Sequence, residues 1–111
     1  MRNPPSLRSG RDFQRVLERG RRSGAGTLTT VALANAAPEE PSRLGLAVRS
    51  KRGAVGRNRV KRRVRAAFRQ LAPAGGYDVV VRADDTILSR QYAALVEDLR
   101  VALGRVTGGR R

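Results

Sequence analysis

The side chains in this sequence with the most chemistry to offer are cationic. Between Arg49 and Arg69, ten of twenty-one residues are Lys or Arg and none is Asp or Glu. Guanidinium groups bind phosphate through two parallel hydrogen bonds and stack on bases. Each phosphate they neutralise releases counterion, which strengthens binding at low salt. A merely solvated helix face would mix Glu with the Arg to limit self-repulsion, so the pattern points to a polyanion. The net charge of the whole chain, +15, points the same way, towards nucleic acid or an anionic membrane surface. Arg outnumbers Lys 22 to 2. Genomic base composition could produce that bias, but it does not explain why the charge is concentrated.

Hydrolytic chemistry by protein side chains is poorly served. The sequence holds no His and no Cys, which removes the commonest general base, the thiolate nucleophile and any disulfide. Asp78, Asp84 and Asp85, around a strand end, come nearest to a carboxylate cluster, and turn or helix-entry roles suit them better than a metal site. No catalytic side chain and no protein-held metal or other cofactor is therefore expected. No run approaches the roughly 20 apolar residues of a membrane-spanning helix. The start, "MRNPPSLRSGRDF", lacks the apolar block of a secretory signal. The expectation is a cytoplasmic protein without a membrane partner or small-molecule substrate.

Elements must position the cationic groups, and the spacing of apolar residues supplies them. "SLRSGRDFQRVLERG" reads as a first helix, with Ser9 and Asp12 as a capping box and Phe13, Val16 and Leu17 as its apolar stripe. Gly20 suits a left-handed stop. "TLTTVALAN" (27–35) and "RLGLAVRS" (43–50) read as strands, joined by the loop "APEEPS". In the second, Leu44, Leu46 and Val48 share a face, while Gly45 and Ala47 leave room on the other for something to approach closely. "KRGAVG" is a basic loop into the next helix. There, at 100° per residue, Val60, Val64, Ala67, Phe68 and Leu71 fall within an arc of about 100°. Asn58, Arg62, Arg65 and Arg69 fall opposite, with Arg59 and Lys61 flanking. A disordered basic tail has no reason to keep that phase, so this is a folded amphipathic helix with one cationic face. "YDVVVRA" (77–83) is a continuous apolar strand of the kind buried on both faces. Residues 89–105 form a last helix on Tyr92, Val96, Leu99 and Leu103, with Glu97 and Asp98 on its solvated side.

The order α-β-β-α-β-α, with or without a further short strand near "RRSGAG", predicts an α+β two-layer sandwich. A small mixed sheet would carry about three helices in a single domain over 1–111. Residues 7–105 would be its ordered core and 106–111 a flexible tail. Charge alone does not choose between DNA and RNA. A strand and a basic loop precede the cationic helix where a helix-turn-helix would place another helix, which favours RNA recognised through phosphates, 2′-hydroxyls and shape.

Within this frame, "RLGLAVRSKRGAVGRNRVKRRVRAAFR" resembles the signature of the bacterial ribonuclease P protein component. In that family a strand ending in Ser-Lys-Lys leads through a Gly loop to Ala-Val-x-Arg-Asn-Arg-x-x-Lys/Arg-Arg. Here Ser50-Lys51-Arg52, Ala54-Val55, Arg57-Asn58-Arg59, Lys61-Arg62 and Arg65 take those places. The likeness extends over about residues 7 to 105. The loop "SKRGAVGRNR" is two residues shorter than the family's spacing, Leu17 stands where many relatives carry a second aromatic, and Arg82 sits earlier than the Arg that usually follows the late strand. The resemblance implies an accessory subunit. A large RNA, using Mg²⁺, would remove the 5′ leader of precursor tRNA, and the protein would dock on that RNA and touch the leader. It assigns RNA contact to Arg57, Asn58, Arg59, Lys61, Arg62 and Arg65, supported by Lys51, Arg52 and Arg69. Phe13 and Leu17, with exposed strand residues Thr29 and Val31, would line a cleft for the leader. Phe13 could equally be a small core aromatic. A ribosomal or other structural RNA-binding protein and a DNA-binding regulator stand as alternatives.

Overall fold

The computed structural model describes residues 4–107. Helix α1 (Gly10–Arg19) begins where the Ser-x-x-Asp pattern places it, with the Ser9 hydroxyl accepting from the Asp12 backbone N–H at 3.4 Å. Strands β1 (Arg21–Ala25) and β2 (Leu28–Ala34) follow as a hairpin, so "RRSGAG" does supply the further strand. Then come β3 (Arg43–Val48), α2 (Gly53–Leu71), β4 (Tyr77–Ala83), a short 3₁₀ turn (Asp85–Ser89) and α3 (Tyr92–Thr107). The sheet order is β1-β2-β4-β3, with β3 and β4 parallel and the other pairs antiparallel. A parallel pair needs a crossover, and α2 is that crossover. The α+β sandwich with a mixed sheet and three helices is thus present.

Strand alternation divides the helices between the two faces. Leu28, Ala32, Leu44, Val79 and Val81 meet Val60, Val64, Ala67 and Phe68 of α2 and Leu95, Leu99, Ala102 and Leu103 of α3 in the main core. Helix α1 lies on the other face, where Val16 packs with Leu7, Val31 and Val80 in a smaller cluster. β4, central in the sheet, is buried at six of its seven residues, as its unbroken apolar run requires.

Several boundaries differ from the pattern-based expectation. Helix α2 begins at Gly53, whose φ of +68° makes the turn out of the basic loop, so "GAVG" is helix. The last helix begins at Tyr92, because Asp84 caps a separate 3₁₀ turn through the Thr86 backbone N–H at 3.0 Å. It runs on to Thr107 with Val106 buried, so the ordered part passes residue 105; residues 108–111 lie outside those described. Gly20 is extended (φ −75°, ψ 161°). A Cβ there would come within 2.6 Å of the Val16 carbonyl oxygen and 2.7 Å of Val31, so close packing explains this glycine. Asp98 is not on a solvated face: its carboxylate is largely covered and paired with Arg90 at 2.5 Å. Among the described residues, no helix is long and apolar enough to cross a membrane.

One polar cluster ties α1 to the sheet. Asp78, at the start of β4, has no solvent exposure. Arg43 of β3 donates to it twice, at 2.9 and 2.7 Å, Arg15 of α1 donates at 2.7 Å and Asn35 at 3.0 Å. Burial raises the pKa of this carboxyl. The hydrogen bonds from Arg43 and Asn35 and the charges of Arg43 and Arg15 outweigh burial and hold it below its usual 3.8. A carboxylate whose folded-state pKa is depressed contributes stability in full above its unfolded pKa. That contribution is lost as the pH falls through the folded-state value. Replacing Asp78 with Ala is therefore expected to cost about 2–4 kcal/mol at neutral pH. In denaturant titrations, the advantage of wild type over Asp78→Asn should hold from pH 7 to pH 5 and shrink below about pH 4. A gap independent of pH would show that the ion network does not carry this stability.

Candidate nucleic-acid interface

Helix α2 presents the cationic face in the phase the sequence predicts. Val60, Val64, Ala67 and Phe68 are buried against the sheet, while Arg57, Asn58, Arg59 and Arg62 are exposed. Lys61, Arg65 and Arg69 are half-buried, laying their methylene stems along the protein surface. Among the described residues, no ion pair neutralises Arg57, Arg59, Lys61, Arg62 or Arg65; the ion pairs involve Arg15, Arg43, Arg90 and Arg100 instead. The helix has no acid in its first turn. Lys51, Arg52 and Arg57 thus crowd its partially positive N-terminus, a mismatch in the free protein that an arriving anion relieves.

The turn into α2 is built on hydrogen bonds. The Asp85 carboxylate accepts from the Lys51 backbone N–H at 2.8 Å, and the Ser50 hydroxyl accepts from the Arg52 backbone N–H at 3.0 Å. A hydrogen bond from Ser50, the Lys51 N–H and the nearby Arg52 and Lys51 charges hold the Asp85 carboxyl below the usual range. Asp85 therefore fixes the entry of Lys51 and Arg52. Asp78 stands at the opposite end of β4 from Asp84 and Asp85, so the three acids form no cluster. Among the described residues, no three His, Cys, Asp or Glu converge to hold a metal ion.

The second surface lies on the α1 side of the sheet. Thr29 pairs with Arg82, and Arg82 with Ala47, so these three form one cross-strand row on that face. They line an open cavity of about 640 Å³ together with Thr27, Arg49 and Asp84. Phe13 and Leu17 of α1, like Ala47, pack against the Val16 cluster and are only partly covered, and neither lines that cavity. The room left by Gly45 is filled by Phe13 itself: a Cβ at Gly45 would lie 2.6 Å from the Phe13 Cζ. Val31 does not reach the open surface. It is completely buried beneath α1 as part of the Val16 cluster, because residue parity puts it on the α1 face in the row where Phe13 rests on Gly45.

Arg82, Ala47 and Arg49 are the residues the sequence reading left out of the cleft. The parity of Arg82 with Asp78 and Val80 gave its face, but only strand register sets it beside Thr29. A second cavity, about 730 Å³, joins Arg49 to Ser50, Lys51 and Arg57. Arg49 and Asp84 line both cavities, so the cleft and the start of the cationic helix form one continuous surface.

These features define a class: a small α+β protein with a polyanion-binding helix beside a partly apolar cleft. The family model for ribonuclease P matches residues 1–107. The ribonuclease P protein component of Gluconacetobacter diazotrophicus is 39% identical over 87% of this chain and 86% of its own length. That of Streptomyces avermitilis is 40% identical over 93% of this chain and 92% of its own. The solved RNase P protein from Thermotoga maritima superposes with a TM-score of 0.78 at 29% identity, covering 93% of this chain and 98% of that one. The chain belongs to the ribonuclease P protein family and is a protein subunit of that enzyme.

The two faces of α2 should separate by mutation. Arg62→Ala and Arg65→Ala should weaken binding to a nucleic acid while shifting stability by no more than about 0.5 kcal/mol. Phe68→Ala should cost about 3–5 kcal/mol of stability. Melting curves set against filter-binding affinities test both halves, and equal destabilisation by the Arg and Phe changes would refute the assigned phase.

Proposed function

We propose that this chain docks through α2 on a large RNA that is itself the catalyst, and holds the single-stranded 5′ leader of precursor tRNA in the cleft beside α1. The observation that carries the reading is the un-neutralised cationic face of α2, continuous through Arg49 with a cleft of different character. The helix surface suits stacked phosphates. The cleft offers Thr29, Ala47 and Arg82 beside the partly exposed Phe13 and Leu17, a surface for unpaired nucleotides. Arg57, Asn58, Arg59, Lys61, Arg62 and Arg65 contact the catalytic RNA in this reading, supported by Lys51, Arg52 and Arg69.

The chemistry then belongs to the RNA. The acids of the chain nearest the cationic face are occupied: Asp84 accepts from the Thr86 N–H and hydroxyl, and Asp85 from Lys51. Mg²⁺ serves the RNA-catalysed cleavage, and the protein contributes positive charge that reduces the cation concentration needed to assemble the complex. The place of action is the cytoplasm.

The purified protein should show no nuclease activity alone, and should restore cleavage of precursor tRNA by the RNA subunit at low Mg²⁺. Cleavage by highly purified protein without RNA would sink this assignment. The leader cleft has its own test, a titration of precursor and mature tRNA against wild-type and Phe13→Ala holoenzyme at matched salt and Mg²⁺. Phe13→Ala should weaken precursor binding by about 5- to 100-fold, the worth of one stacked base, and leave mature tRNA nearly unchanged. Since both tRNAs meet the same assembled complex, lost folding cancels from the ratio. An equal loss for the two would make Phe13 purely the residue that seats α1 on Gly45.

A further inference from the structure

The chain has four aromatic residues, and three of them serve its packing. Phe68 and Tyr77 are buried, and Phe13 rests on Gly45. Tyr92, the first residue of α3, is 37% exposed, while Leu95, Leu99, Ala102 and Leu103 supply that helix's contact with the core. The Arg63 guanidinium carbon lies 5.9 Å from the Tyr92 ring centroid and over the ring. Arg63 is fixed there, since its guanidinium donates to the backbone carbonyl of the buried Ile87. Tyr92 and Arg63 line a groove of about 390 Å³ with Arg59, Arg62, Ala66 and Leu88, and none of the six is acidic. The groove continues past Arg59 and Leu88 into a second hollow bordered by Arg52 and by Asp85, whose carboxylate is taken up by the Lys51 backbone N–H.

We propose that this groove, between α2 and the start of α3, is a nucleotide-binding subsite that takes one unstacked base of the RNA subunit on Tyr92, with the neighbouring phosphates on Arg59 and Arg62. An exposed ring held against a guanidinium offers a flat, preorganised surface for a base. The flanking arginines match the backbone charge, and the small Ala66 side chain leaves the groove open. The occupant is the RNA subunit and not the precursor tRNA, because the groove runs along the flank of α2 on the side of the sheet opposite the α1 cleft. The inference rests on the reading that α2 binds RNA.

The sequence contains no Trp, so Tyr92→Trp places a single fluorophore at the subsite. Adding the RNA subunit should quench it with the stoichiometry of complex formation measured by filter binding. Precursor tRNA added alone should leave it nearly unquenched. Tyr92→Ala should weaken affinity for the RNA subunit by about 5- to 100-fold, Tyr92→Phe should bind as wild type, and all three variants should melt with wild type. RNA binding by the Trp variant without quenching would overturn the subsite and leave the function of α2 standing. Quenching by precursor tRNA alone would overturn its assignment to the RNA subunit. Failure of the wild-type protein to bind the RNA subunit at all would overturn both.

Discussion

A carboxylate sealed from water at the start of the central strand is the constraint on which the α1 face of this molecule depends. Buried charge is tolerated only when paired and hydrogen-bonded, and Asp78 gathers its partners from three separate segments: Arg43 in β3, Arg15 in α1 and Asn35 after β2. Satisfying one residue therefore aligns two strands and fastens a helix. With Arg15 committed to Asp78, the adjoining turn of α1 lays Phe13 on Gly45 and packs Leu17 against the Val16 cluster. The wall of the cleft is set by an interaction several residues away from it. The apolar cluster under α1 is small, with four buried residues, so the ion network supplies orientation that hydrophobic contact alone would leave loose.

The opposite side of the sheet solves a different problem. Its most highly charged segment holds no acid of its own between Arg49 and Arg69 and so repels itself, yet it must remain folded. Topology and packing together achieve this. Because β3 and β4 are parallel neighbours, α2 is the obligatory link between them and is kept close to the sheet at both ends. Val60, Val64, Ala67 and Phe68 are buried within 2% of completely, each of the larger ones contributing about 1.5–3 kcal/mol. Those contacts offset the repulsion along the outer face, where the charge remains available to a partner.

Much of this could be read from the residues. The phase of α2 followed from Val60, Val64 and Phe68, and β4 from the unbroken run Tyr77–Ala83, because long periodic signals report burial directly. The family signature drew attention to the cations on the outer face of α2. What stayed hidden depended on contacts between distant segments. Val31 and Thr29 share a parity and look alike in sequence, but α1 covers one and leaves the other open. Gly45 announced a close approach without naming Phe13 as the visitor. Asp78 looked like a neighbour of Asp84 and Asp85, when a full strand length separates them and its true partners lie 35 and 63 residues away. Gly53 was read as loop because a glycine-bounded basic stretch and a helix's first turn have the same composition.

The sheet therefore acts as a partition between two kinds of recognition. On the α2 side, charge dominates and the complementary surface is a phosphate backbone, whose attraction falls steeply with salt. On the α1 side, the row Thr29–Arg82–Ala47 lines a cleft with fewer cations than α2, and the half-covered Phe13 and Leu17 of α1 add ring and aliphatic surface on the same face, where stacking responds weakly to salt. Arg49 stands where the two meet, lining both cavities. A polyanion bound along α2 therefore ends beside the cleft, because the two cavities share Arg49. Positive charge at this junction attracts any anionic chain, so a preference for one form of chain must come from the shape of the cleft beyond it and not from charge.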